Sequence, residues 1–205
     1  MKARFVTMTI VAASSVVGAT DSARAGGGCP DLGDTGAVND SFPNRMSSLV
    51  GAGIRTGGHD CFERVVLELQ GTGELPGYQV EYVGDPVLES PSGQPTEVAG
   101  DATLVLSFGA WMMNPDGSGY TGPMEIVPGN VTNILELELI ENFEGQSAWA
   151  IGLDEQRGFV VTTLTDPVRI VIDIELDPGG APTPTPTTAP ATVPGAPPAS
   201  LPPTH

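Results

Sequence analysis

His59-Asp60 is the one adjacent histidine–carboxylate pair in the chain, and acid–base chemistry is the first use it suggests. His59 stands alone: the only other histidine is the last residue, His205. A metal phosphodiesterase of the His-Asp type needs further histidines and carboxylates around such a pair. Ser-His-Asp hydrolysis needs a poised serine, and no Gly-x-Ser-x-Gly turn occurs. Gly57-Gly58-His59-Asp60 therefore predicts a turn leading into a strand, and no catalytic residue is assigned. An envelope hydrolase resting on His59 and Asp60 stands as an alternative function.

Two further constellations carry possible chemistry. Asn114, Asp116 and Ser118 alternate, Gly119 is sixth and Glu125 twelfth, the spacing of a degenerate calcium loop. Pro123 inside the run and the lack of a flanking helical pattern favour a glycine-rich hairpin loop, so no metal is assigned. A calcium-stabilised structural domain is kept as a second alternative. Arg64, Arg169 and Asp173 fall on the polar faces of strongly alternating segments. Arg169 and Asp173, four apart on one strand, are separated by about 13 Å, too far to pair, whereas Arg64 and Asp173 would meet if their strands are neighbours. Together with Trp111 and Tyr120, whose rings flank the Asn114 loop and could stack on sugars, these residues form the candidate ligand surface. No cofactor is expected.

The elements that must hold these residues are strands. Val65, Leu67 and Leu69 alternate with Arg64, Glu68 and Gln70; Leu135, Leu137 and Leu139 alternate with Glu136 and Glu138; Val168, Ile170, Ile172 and Ile174 alternate with Arg169, Asp173 and Glu175. Residues 78–83, 103–108, 148–153 and 159–164 add shorter strand candidates, and Trp149, alternating with Ile151 and Leu153, is expected in the core. Pro76-Gly77, Asp85-Pro86, Pro115-Asp116-Gly117, Pro128-Gly129 and Asp166-Pro167 supply turns between them. The fold class predicted is all-β, a single antiparallel β-sandwich of about seven or eight strands.

Residues 1–25 read as a signal peptide: Lys2 and Arg4, a weakly apolar run, then Ala23-Arg24-Ala25 in a small-x-small cleavage pattern. Beyond it the chain carries 5 arginines, no lysine and 24 acidic residues. Such a charge argues against a nucleic-acid partner, whose phosphates need the opposite field, and no stretch is long and apolar enough for a membrane span. Cys29 and Cys61 are the only cysteines, and an oxidising compartment favours a disulfide between them. Lipoprotein anchoring through Cys29 is the competing reading, disfavoured by Gly26-Gly27-Gly28 before it and by the distance from the apolar run. Residues 26–47 are expected to be a flexible lead tethered by Cys29, residues 48–177 the folded domain, and residues 178–205, with 10 prolines in 28 residues, a disordered Pro/Thr/Ala-rich tail. The tail ends in Leu201-Pro202-Pro203-Thr204, the start of a wall-sorting signal, with His205 where the glycine would stand.

Two blocks resemble a known family. One is Gly58-His59-Asp60-Cys61-Phe62-Glu63-Arg64-Val65-Val66 with Leu75-Pro76-Gly77-Tyr78-Gln79-Val80-Glu81-Tyr82-Val83. The other is Phe143-Glu144-Gly145, then residues 159–164, then Asp166-Pro167-Val168-Arg169-Ile170-Val171-Ile172-Asp173. Over residues 48–176 they are similar to the AMIN-like domain of exported actinobacterial proteins, itself distantly similar to the AMIN domain of envelope amidases and secretins. The resemblance implies a β-sandwich module that localises proteins at the cell envelope. It implies a non-catalytic module with a cell-wall polymer such as peptidoglycan or an envelope protein as its partner, to which the signal peptide adds secretion; a monomer is expected.

Overall fold

Val65, Leu67 and Leu69 point to one side of a strand, and Ile170, Ile172 and Ile174 to the same side of its neighbour, all six withdrawn from water. Leu104, Leu106 and Phe108, with Trp149, Ile151 and Leu153, face them across the interior, equally buried. Period-two alternation has become two sheets that bury their apolar faces on each other, an antiparallel β-sandwich. The computed structural model describes Cys29 and residues 31–176. The expected signal peptide and Pro/Thr-rich tail lie outside the described residues.

The strands are β1 (Val38–Asp40), β2 (Val50–Gly58), β3 (Phe62–Gln70), β4 (Tyr78–Val83), β5 (Val87–Leu88), β6 (Pro95–Thr96), β7 (Ala102–Phe108), β8 (Glu125–Ile126), β9 (Ile134–Phe143), β10 (Gln146–Leu153), β11 (Phe159–Leu164) and β12 (Val168–Glu175). The first sheet runs β1-β4-β7-β10-β9-β8 and the second β11-β12-β3-β2, with β5 and β6 a separate hairpin. All seven stretches expected to be strands are strands. The alternation misses β2, where Gly51, Gly53, Gly57 and Gly58 interrupt it and a bulge shifts the register between Gly51 and Gly53.

Part of the lead expected to be flexible is instead fastened to the sandwich. Val38–Asp40 pair with Tyr78–Val80 as β1. The Asn39 amide donates to the Gln79 side chain at 2.9 Å, and Arg45 pairs with Asp40 at 2.7 Å while donating to the Leu75 carbonyl. Ser47 and Ser48 donate their hydroxyls to the carbonyls of Glu74 and Thr72. Short polar side chains, which read as loop formers, here serve as ties to the β3–β4 connection. Further up, Cys29 is bonded to Cys61 with their Cα atoms 5.1 Å apart, and the Cys61 carbonyl accepts from the Leu176 amide. Both ends of the described chain thus converge on the β2–β3 turn. Among the described residues no helix is long and apolar enough to cross a membrane.

A flap of residues 84–101, carrying β5 and β6, lies over the outer face of the first sheet. Val87 and Val98 rest on Val105, Ile140, Ala148 and Ala150, a second small apolar cluster. Three glutamates of β9 hold the flap as acceptors. Glu136 accepts the Ala99 amide at 2.7 Å, Glu138 the Thr96 hydroxyl and Glu141 the Ser90 hydroxyl at 2.9 Å. At the flap's return a Cβ on Gly152 would collide with the Ala99 carbonyl, so glycine there lets the segment lie directly on β10.

Candidate functional site

The outer face of the second sheet gathers three of the five arginines beyond residue 25: Arg55, Arg64 and Arg169. β3 and β12 are neighbours, and their register sets Arg64 opposite Asp173, Val66 opposite Val171 and Glu68 opposite Arg169. The Arg64–Asp173 contact is a two-pronged pair, Nε to Oδ1 at 2.6 Å and Nη2 to Oδ2 at 2.8 Å. Asp173 keeps 12% of its side chain exposed against 35% for Arg64, so the carboxylate is the more enclosed partner. Hydrogen bonding to Asp173 holds the Arg64 guanidinium above its usual pKa, against the opposing effect of burial.

Arg64 also sits over the Phe62 ring, its guanidinium carbon 5.0 Å from the ring centre, and His59 stacks on the same ring at 4.4 Å. Because Phe62, Arg64, Val66 and Glu68 share one face of β3, this row of ring and cation continues directly into the charged surface. Glu68 pairs with Arg55 at 3.2 Å rather than with Arg169, its register neighbour. Arg169 donates Nε to the Pro167 carbonyl at 3.3 Å, and among the described residues no carboxylate lies within ion-pair distance of it. The face thus offers one cation held by a carboxylate and stacked on a ring, one in a loose pair, and one with its fork of donors uncommitted to any carboxylate.

Trp111 and Tyr120 do not join these arginines. Trp111 is half-buried beside Val50, at the opposite end of β2 from the Gly57 that pairs with Arg64, and its carbonyl accepts the Gly51 amide. Tyr120, expected on a ligand surface, is 7% exposed and set edge-on to Trp149 with ring centres 5.8 Å apart. Its hydroxyl donates to the Pro123 carbonyl, and burial raises its pKa. The ring closes the end of the core, a role that spacing along the loop does not reveal.

The Asn114 loop closes on itself. The Asn114 amide nitrogen of the side chain donates to the Ser118 hydroxyl, which donates in turn to Asp116 at 2.7 Å. These bonds from Ser118 hold the Asp116 pKa below its ordinary value. Glu125 leaves the loop for β8, opposite Glu138. The Asn114 amide nitrogen, the Ser118 hydroxyl and the Asp116 carboxylate satisfy one another, and among the described residues no group of three or more histidine, cysteine or acidic side chains is gathered closely enough to hold a metal ion. His59 and Asp60 occupy the β2–β3 turn, where the His59 amide donates to the Phe62 carbonyl.

One structuring residue escaped the sequence reading. Glu63 lies on the inward stripe with Val65, Leu67 and Leu69 and is 3% exposed. Its carboxylate accepts the amides of Thr132, Asn133 and Ile134 and the Thr132 hydroxyl, at 2.6 to 3.0 Å. It thereby fixes the loop in which Asn130 exchanges hydrogen bonds with Thr56 on the edge of β2. The signal was present: a glutamate at a core position of an alternating strand must be met by donors.

A family model described as the AMIN-like domain matches residues 49–176. No curated protein and no solved structure matches the chain.

Proposed function

The chain belongs to the AMIN-like domain family, a module of cell-envelope-associated proteins, and from that membership we propose that it is an exported, non-catalytic module that binds a wall polymer or a wall-associated protein. The binding surface is the outer face of the second sheet, with Arg169, Arg55 and the Phe62-stacked Arg64 as its contacts. The observation that carries this reading is the concentration of basic residues: three of the five arginines beyond residue 25 share one sheet face in a chain of net charge −17. Asp173 and Glu68 on the same face are engaged by Arg64 and Arg55, which leaves Arg169 as the guanidinium fork not committed to a carboxylate in a strongly acidic chain. Flat sheet faces suit extended polymers, and guanidinium forks suit carboxylate and phosphate groups on them.

Co-sedimentation of residues 26–205 with isolated cell walls tests the reading. The expected result is retention that declines with added salt and falls several-fold when Arg55 and Arg169 are both replaced by alanine. Recovery entirely in the supernatant at every salt concentration refutes the wall-polymer version. Retention unaffected by the double substitution removes the arginine face as the surface.

A further inference from the structure

On the opposite side of the sandwich the flap leaves a groove of about 330 Å³. Its floor is largely apolar, built from Val83, Val105, Ile140 and Ala148 with the Ser107 hydroxyl among them, and Val87 of the flap forms one wall. Its polar ends are carboxylates: Glu81 on β4 and Glu141 on β9. No lysine or arginine lines it, and the neighbouring cavity of about 520 Å³, which shares Val83 and Gly84 with it, is bordered by Asp85, Glu97 and Asp101. Among the described residues the Glu81 carboxylate has no hydrogen-bond or ion-pair partner, its backbone being paired in β4. Glu141 gives one oxygen to Ser90 and keeps the other.

The separation of the two carboxylates follows from strand register. Glu141 pairs with Ala148, Ala148 with Ser107, and Ser107 with Gln79, so Glu81 stands two residues along β4 from the position in line with Glu141. Three inter-strand spacings and two residues of rise place their Cα atoms about 16 Å apart on one face. An apolar floor with an anion at each end, inside an acidic surround, is complementary to a flexible methylene chain bearing an ammonium group at each end. A monocation would satisfy one end only, and a metal ion would leave the apolar floor unused.

We propose that this groove binds a linear alkyl polyamine, with its methylene segments along Val83, Val105 and Ala148, an internal amine at the Ser107 hydroxyl and its terminal ammonium groups on Glu81 and Glu141. The Leu88 side chain, 60% exposed at the lip of the groove, would cover the bound chain. This site and the arginine face lie on opposite outer faces of the sandwich, so either can fail without the other.

Calorimetric titration of spermidine into the full chain at low ionic strength tests the proposal. The expected result is one saturable site. Glu81→Gln weakens it about tenfold through loss of a charge-assisted hydrogen bond, whereas Glu144→Gln, at the β9–β10 turn, leaves it unchanged. Octylamine, with the chain but one ammonium group, binds at least tenfold more weakly. Spermidine also raises the thermal midpoint of the native chain and not that of the Glu81→Gln variant. Absence of saturable binding overturns the proposal. So does equal weakening by Glu81→Gln and Glu144→Gln, the mark of diffuse attraction to an acidic protein. Equal affinity for octylamine, or tighter binding of a lysine-rich peptide than of spermidine, overturns it as well.

Discussion

The two outer faces of the sandwich solve the same problem in different ways. Each carries apolar residues that alternation would turn toward water. On the first sheet Val105, Ile140, Ala148 and Ala150 are covered by a segment of the chain itself, the flap, held down by three glutamate acceptors. On the second sheet Val66 and Val171 are adjacent and 9% and 3% exposed, and they are ringed by Arg55, Arg64, Asp173, Arg169 and Glu68. There the neighbours on the same face are long charged side chains, Arg55 standing opposite Val66 and 52% exposed. A face covered by a chain segment belongs to the fold, while a face covered by side chains remains free to exchange them for a partner.

Truncating an apolar residue on each face should separate the two kinds of cover most clearly. Ile140→Ala, under the flap, is expected to cost about 2–4 kcal/mol by opening a cavity that the strapped segment cannot fill, against about 1–1.5 kcal/mol for Val66→Ala, where arginine stems can settle. Urea unfolding measures both, and equal losses would erase the distinction. Next in size, Arg64→Ala leaves the more enclosed Asp173 without its cation and should destabilise by about 1–2 kcal/mol, between exposed and buried pairs. A melt indistinguishable from the native one would mean that Asp173 is already well hydrated.

The smallest effect concerns pH. Burial, and after it the neighbouring Glu136, Glu89 and Glu125, hold the Glu138 pKa above the ordinary 4.5. A carboxylate with a raised folded pKa contributes stability that is complete below its unfolded value and is lost as pH rises through the folded value. The flap should therefore loosen slightly above pH 4.5, seen as faster amide exchange at residues 96–99, and Glu138→Gln should flatten that rise. A flap whose exchange has the same pH profile in both proteins, once intrinsic rates are removed, would show that the carboxylates merely tolerate it.

Most of the core was legible because its signal is local. Val65, Leu67 and Leu69, or Ile170, Ile172 and Ile174, reveal their buried face from spacing alone, as does Trp149 in alternation with Ile151 and Leu153. β2 was hidden by its glycines, and β1 by the short polar residues that tie the lead to the β3–β4 connection. The flap had no periodic pattern to betray it, since Val87 and Val98 are its only contributions to the apolar cluster below and the rest of its hold is through hydrogen bonds. In the candidate surface, Arg64 and Asp173 could be paired conditionally, but Tyr120 could not be placed in the core, because its burial depends on Trp149 nearly thirty residues away.

By itself the sequence determined which side of β3 and of β12 faces the core, that the folded chain is all-β, and that Cys29 has one possible partner inside the chain. Those properties follow from a two-residue period and a count of cysteines. Tertiary structure decided which strands are neighbours and in what register. That choice set Arg64 on Asp173, turned Glu68 to Arg55 and away from Arg169, and laid carboxylates at both ends of an apolar groove. Pairing between strands is settled by the total burial of both sheets at once, a quantity no single segment contains.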